Sequence, residues 1–335
     1  MENMEKNSDL TQDFSQIITL IESAKRNALK KVNEELIQLY YQMGHFLSDK
    51  VKQTTWGDSY IDEVASFITT SHPTLKGFNR RGLYRMKQFY EAYCDDEFVS
   101  TLLTQITWSN HLAILAASKT TEERDFYIQL SIKEKYSFRE LQRQLDSGYY
   151  ERFMLSHTTV LPEAVTKTIK NEFLDSYVLE FLDLPDKFSE HDFKKAIIHN
   201  LKSFILEIGK DFSFIAEEYR VQVGLDDFYI DLLFYHRGLA CLVAFELKIG
   251  KFKPEHLGKL NFYLEALDRE HKKENENPSV GVILCSTKNS EVVEFALSRS
   301  LSPAMISEYT LKLPQKELLQ KKLHELKNVI EGDLE

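Results

Sequence analysis

The apolar residues of this chain change their spacing near its middle, and no single-layer fold accommodates both spacings. From Phe14 to Ser48 the residues Ile17, Ile18, Ile21, Ala24, Ala28, Val32, Leu36, Leu39, Tyr40, Met43 and Leu47 recur every three or four positions. That is the period of an amphipathic helix with one buried stripe. Segments near Asp58–Thr70, Arg80–Tyr93, Trp108–Ala117, Thr121–Lys133 and Ser137–Leu145 continue the helical pattern, with Asn79, Thr121 and Ser137 as expected N-caps. Strand signals are nearly absent before residue 150, and the periodicity dissolves into an expected connector at Ser147–Ala164.

Beyond the connector a helix is expected over Glu190–Ile208, followed by strand-period runs at Phe212–Val223, Phe228–Tyr235 and Leu239–Leu247. A helix from Pro254 to Arg269, a strand Val280–Cys285, a helix Ser290–Ser298, a strand Ala304–Leu311 and a terminal helix from Pro314 complete the order. The expectation is an α+β chain of two domains, all-α over residues 12–150 and α/β over residues 165–335.

Composition removes several function classes. Lys and Arg number 42 against 52 Asp and Glu, a formal net charge of −10, so bulk charge does not carry nucleic-acid binding. Cys94, Cys241 and Cys285 are too scattered for a disulfide framework, which points to a reducing cytoplasm. No apolar run is long enough to cross a bilayer, and the acidic start MENMEKNSDL is unlike a signal peptide. Any contact with DNA must therefore come from a local patch. Val64–Tyr90 contains no Asp or Glu but holds Lys76, Arg80, Arg81, Arg85 and Lys87. With the preceding helix it has a helix-turn-helix-like outline, and Arg80, Arg81, Arg85 and Lys87 are the expected DNA-contacting residues. A solvated basic face or a protein-docking surface fits the same residues, and the long first helix would also suit the seam of a homo-oligomer.

Chemistry concentrates where FYIDLLFY and AFELK each place charge in an otherwise apolar strand. Burying such a charge is costly unless it is paired or binds a metal. A two-residue loop at Arg237–Gly238 would set Asp231 opposite Ala244, so that Asp231, Glu246 and Lys248 share one strand face. Two carboxylates suit a hard divalent ion, Mg²⁺ with Mn²⁺ as substitute, and a lysine suits the negative charge that develops in phosphodiester hydrolysis. Asp226 and Asp227 read as turn residues after Gly224. His111, beside Trp108 and Ser109, reads as a helix-start cap and packed aromatic, because no partner nucleophile is recognisable nearby.

At these residues the chain resembles the PD-(D/E)XK nuclease superfamily, whose core is an αβββαβ unit. FYIDLLFYHRGLACLVAFELKIGKFKPEHLGKLNFYLEALD and NPSVGVILCS are similar to the C-terminal nuclease domain of YhcG-type bacterial proteins. The segments VNEELIQLYYQMGHFLSDK, LKGFNRRGLYRMKQFYEAY and ITWSNHLAIL resemble the helical domain that accompanies it. The resemblance implies a restriction-endonuclease-like second domain and a metal-dependent nuclease acting on DNA in restriction, phage defence or mobile-element biology. The helical domain would serve DNA or a protein partner. A non-catalytic DNA-binding or assembly module on the same fold is the alternative. Asp231, Glu246 and Lys248 match the motif, with Asp231 and Glu246 as metal ligands. The first-helix glutamate of many relatives is replaced by Lys194, with Glu190 and Glu207 as substitutes. The helical Gln-xxx-Tyr of the motif stands here as Lys259-xxx-Tyr263, and Tyr263 equally fits the core stripe of Leu260 and Leu264.

Overall fold

The protein is described by a computed structural model covering residues 2–53, 59–94, 102–156, 169, 172–298, 300 and 303–332, with side chains from residue 14 to 325 apart from 15. It divides into two compact units, Met1–Gln142 and Arg143–Glu335. Among the described residues no helix is long and apolar enough to cross a membrane.

The first unit is helical: α1 (Glu2–Gln53), α2 (Ser59–Ser71), α3 (Arg80–Tyr93), α4 (Trp108–Ala117), α5 (Thr121–Glu134) and the start of α6 (Phe138–Asp146). Leu47, Ile61, Ala65, Leu83 and Met86 form the core where α1, α2 and α3 meet. The helices approach closely at Gly44, where a Cβ would fall 2.1 Å from the Met86 carbonyl oxygen. Asn79 caps α3 as expected, its Oδ1 accepting from Gly82 N at 2.9 Å. The cap of α5 is Thr120 instead of Thr121, because its extended backbone aims Oγ1 at the Glu123 N–H. Burial along α1 corrects the expected stripe. Ile37 and Leu47 are buried, whereas Ile17, Ile21, Val32, Leu36 and Leu39 are exposed, although Leu36 lies on the same helix face as Leu47 about three turns away. His111 is buried in α4, its Nε2 2.7 Å from the Leu103 carbonyl oxygen and its ring edge-on to Phe89. Burial pushes its pKa down to about 4, and the helix-start cap is Thr107.

The second unit is built on a six-stranded sheet ordered β1-β6-β5-β4-β3-β2, with β1 (Ser176–Val178), β2 (Phe212–Val223), β3 (Asp226–His236), β4 (Cys241–Leu247), β5 (Val280–Cys285) and β6 (Ala304–Thr310). β2, β3 and β4 are antiparallel, and β4, β5, β6 and β1 are parallel. Helices α8 (Glu190–His199) and α9 (Leu201–Ile208) cover one face through Phe193, Ile197, Phe204 and Ile208. Helices α10 (Pro254–Glu270) and α11 (Ser290–Leu297) cover the other through Leu260, Leu264, Leu267 and Val293. The order α-β-β-β-α-β-α-β stands, with Phe212–Val223 and Val280–Cys285 as expected and the other three expected strands shifted by one or two residues at an end. Asp226 and Asp227 open β3 because the β2–β3 turn needs only Gly224 and Leu225, with Gly224 at φ +65°. The single helix expected over Glu190–Ile208 is two, broken at Asn200, whose side chain and backbone N–H both bond the Ala196 carbonyl. The short β1 had no recognisable sequence pattern. Residues 149–156 of the expected connector form α7 (Tyr149–Ser156), while 157–164 lie outside the described residues.

Glu207, at the end of α9, is fully buried and accepts from Arg143 and Arg152, each at 2.7 Å, and from Val178 N at 2.7 Å. It thereby ties α6 and α7 to β1. Removing one member of a buried, hydrogen-bonded ion cluster leaves uncompensated charge. Arg152→Ala should therefore cost about 3 kcal/mol of stability in urea unfolding; a loss within experimental error would show that the cluster contributes little.

Candidate active site

β4, like β5, has every residue buried, so its side chains alternate between two apolar layers. Val243, Phe245 and Leu247 enter the α8–α9 layer, and Leu242 and Ala244 enter the α10 layer. Glu246 therefore carries a carboxylate into a position where its neighbours are hydrocarbon. The register corrects the expected hairpin. Leu233 pairs with Ala244 and His236 with Cys241, leaving a four-residue turn, Arg237–Ala240, in place of two. The longer turn is held by Leu239 N donating to His236 Nδ1 at 3.0 Å and by Asn277 bonding the carbonyls of Leu239 and Ala240. Because the shift is two residues, the strand faces keep their phase. Extending the ladder one step past its last pair, Leu232–Phe245, brings Asp231 level with Glu246 instead of diagonal to it.

Asp231 sits where β3 loses its alternation. Ile230 packs in the α10 layer and Leu232 in the α8–α9 layer. Opposite it on β2, Glu218 adopts φ +47° between the pairs Glu217–Leu232 and Tyr219–Ile230. Asp231 Oδ2 accepts the Leu247 N–H at 2.9 Å. Its carboxyl is held above the ordinary range, first by burial and then by the charge of Glu246.

Five lysine and glutamate side chains complete the group. Lys248 Nζ lies 3.0 Å from Glu246 Oε1 and 3.1 Å from Glu190 Oε2. Glu190 is placed by the reciprocal capping of Ser189 and Asp192 at the start of α8. Lys259, on α10, reaches the same Glu246 Oε1 at 2.7 Å, and its ammonium lies 5.4 Å from the Tyr263 ring centre. Burial pulls the pKa of both lysines down, but the Glu246 charge outweighs it and holds each above the ordinary lysine value. Glu246 Oε2 is buried and has no hydrogen-bond partner. Lys194 bonds Glu218 Oε1 at 2.5 Å and stands 3.8 Å from Asp231 Oδ1. Tyr263 is buried in the α10 layer and donates to the Tyr229 carbonyl at 2.7 Å. Burial raises its phenol pKa.

The structure thus gathers Asp231, Glu246, Lys248, Glu190, Lys194, Lys259 and Tyr263, and places Glu207 in the separate arginine cluster. Glu218 is the member that sequence reasoning missed, since it reads as a solvent-facing strand residue and only the irregular backbone turns it toward Lys194. On α3, Arg80 pairs with Asp62 and Lys87 with Glu91, whereas Arg81 is exposed and neither it nor Arg85 forms an ion pair among the described residues. Eight residues, 72–79, separate α2 from α3, more than the three or four of an ordinary helix-turn-helix.

The strand order and the helices on its two faces define a PD-(D/E)XK type of nuclease domain, here following a helical domain. Residues 170–324 match the model of the YhcG PDDEXK nuclease domain, and residues 16–152 match that of the DUF1016 N-terminal domain. The two matches together give the chain the order of a DUF1016 N-terminal domain followed by a YhcG PDDEXK nuclease domain. It is 28% identical over 361 aligned positions to a protein of Escherichia coli (strain K12) named "Putative nuclease YhcG", covering 94% of each chain. A solved structure of a repair endonuclease from Pyrococcus abyssi aligns with 39% of this chain and 50% of its own, at 15% identity and a TM-score of 0.25.

A carboxyl whose folded pKa is raised binds protons more readily in the folded than in the unfolded state, so its ionised form costs stability at neutral pH. Without added metal, Asp231→Asn should raise Tm at pH 7, by about 2 °C. The gain should shrink as pH falls through the raised pKa toward the ordinary carboxylate range, where wild-type Asp231 is itself neutral. Parallel melts of the two proteins from pH 7 to 4 would show it; a Tm difference independent of pH would refute the electrostatic origin.

Proposed function

We propose that the chain is a metal-dependent deoxyribonuclease that hydrolyses phosphodiester bonds at the Asp231, Glu246 and Lys248 group, with Mg²⁺ as cofactor and Mn²⁺ as substitute. One observation carries this reading: a fully buried carboxylate oxygen, Glu246 Oε2, has no hydrogen-bond partner and lies level with a second carboxylate whose ionisation burial opposes. An unpartnered buried anion is expensive, and a hard cation between the two residues offsets that cost. Among the described residues no group of three or more His, Cys, Asp or Glu gathers as a metal site, so Asp231 and Glu246 would be the side-chain ligands, with water and phosphate oxygens completing the shell. When bound, the ion lowers the pKa of a water molecule and polarises the phosphate.

The rest is done by the chain. Leu247 N–H fixes Asp231 Oδ2, so that Oδ1 is the atom left to ligate. Lys248, oriented by Glu190, holds its ammonium where charge accumulates on the phosphate oxygens as water adds and the phosphorus–oxygen bond to the leaving sugar breaks. DNA affinity comes in part from Arg81 and Arg85, which lie one helical turn apart on α3, while Arg80 and Lys87 are committed to acidic neighbours.

Mg²⁺ or Mn²⁺ should support cleavage of plasmid or linear DNA, EDTA should abolish it, and Ca²⁺ should support binding with little turnover. Asp231→Asn and Glu246→Gln should each lower the rate by at least about a hundredfold with the fold intact, and Lys248→Ala should remove turnover while metal still binds. Binding of DNA with no cleavage under any divalent ion would favour the non-catalytic alternative.

Replacing Arg81 or Arg85 by Ala should lower the slope of log affinity against log salt by about one unit, leaving the saturated cleavage rate unchanged. Unaltered affinity and slope in the double variant would remove α3 from the DNA surface.

A further inference from the structure

The two lysines on Glu246 Oε1 are not equivalent. Lys248 is 15% exposed and is held from its far side by Glu190. Lys259 is 48% exposed, arrives from α10, and among the described residues has Glu246 as its sole acidic partner. Between them they neutralise one oxygen of a side chain that is itself 1% exposed, and leave the other oxygen bare. The pair joins a half-exposed ammonium to a buried carboxylate, so only its lysine end can move away onto a competing anion. The buried pair partner, by contrast, has no exit.

We propose that Lys259 is a counter-ion latch on the cation site: in the metal-free protein its ammonium on Oε1 neutralises the Glu246 carboxylate whose free oxygen, Oε2, a divalent cation would take, and a nucleic-acid phosphate restores that negative charge by drawing the ammonium to itself. The proposal rests on the nuclease reading for the identity of the cation and the phosphate. No bond is made or broken. The Lys259 side chain swings from carboxylate to phosphate, leaving a position where its ammonium lies 5.4 Å from the Tyr263 ring centre. Cation and DNA then bind with positive coupling, each tightening the other by the same factor. The site stays poorly charged with metal until substrate arrives, which limits metal-dependent chemistry in its absence.

The test is Ca²⁺ binding to the full chain by titration calorimetry, with and without a short DNA duplex, for wild type, Lys259→Gln and Lys259→Arg, and with Glu246→Gln to assign the site. Without DNA, Lys259→Gln should bind Ca²⁺ about tenfold tighter than wild type, within the range over which coupled sites act, and Lys259→Arg should stay near wild type. The duplex should tighten Ca²⁺ binding to wild type by about tenfold and to Lys259→Gln hardly at all. Equal or weaker Ca²⁺ binding by Lys259→Gln without DNA overturns the latch, as does an undiminished effect of the duplex on that variant. If wild type cleaves DNA while Lys259→Gln shows unchanged affinity, the latch falls and the nuclease stands. If Lys259→Gln tightens the ion yet no form cleaves DNA, the nuclease reading falls and the latch stands. Absence of Ca²⁺ binding in every form overturns the latch, and only absence of cleavage with Mg²⁺ or Mn²⁺ as well removes the nuclease.

Discussion

The carboxylate of Glu246 is the constraint around which the second unit is arranged. It sits on a strand buried from both sides, within a layer of leucine, alanine and tyrosine, and has two lysines on one oxygen and nothing on the other. An isolated charge in such a layer would be untenable. The elements around it supply compensation: α8 positions Glu190 behind Lys248, α10 delivers Lys259, and β3 breaks its own alternation to bring Asp231 alongside. Sheet and helices are therefore organised as much around one acid as around the hydrophobic core.

Glu207 offers a contrast within the same unit. It is equally buried, but both its oxygens are engaged, by Arg143, Arg152 and the Val178 N–H. Saturated in this way, it has no capacity left for a ligand and acts as a joint between helices and sheet. A bare oxygen alone does not set Glu246 apart, since the buried Glu151 also has one; what distinguishes Glu246 from Glu207 is a bare oxygen on a residue level with a second carboxylate.

Periodicity made most of this fold legible. The strands expected in the second unit emerged within one or two residues of their limits, because burial fixes the pattern, whereas α1 runs from Glu2 to Gln53, well past the expected Phe14–Ser48. Asp231, Glu246 and Lys248 were legible as charges out of place in apolar strands. What sequence did not reveal depended on partners distant along the chain. β1 has three residues and gains its strand conformation from β6; the choice between Lys194, Glu190 and Glu207 depended on where α9 ends; and the length of the β3–β4 turn is decided by Asn277, which lies far beyond it. The apolar stripe of α1 was visible in sequence, but which part of that helix is covered by neighbours was not.

The four-residue turn also separates two kinds of length change in the β3–β4 hairpin. Residues added to or removed from Arg237–Ala240 alter the loop while the pairs Leu233–Ala244 and His236–Cys241 are kept. A residue inserted or deleted within either strand, between the turn and Asp231 or Glu246, instead moves the side chains beyond it by half a period, sending Asp231 or Glu246 toward the layer of Phe193, Phe204 and Phe245. Natural length variation in this hairpin should therefore collect in the turn and spare the strands.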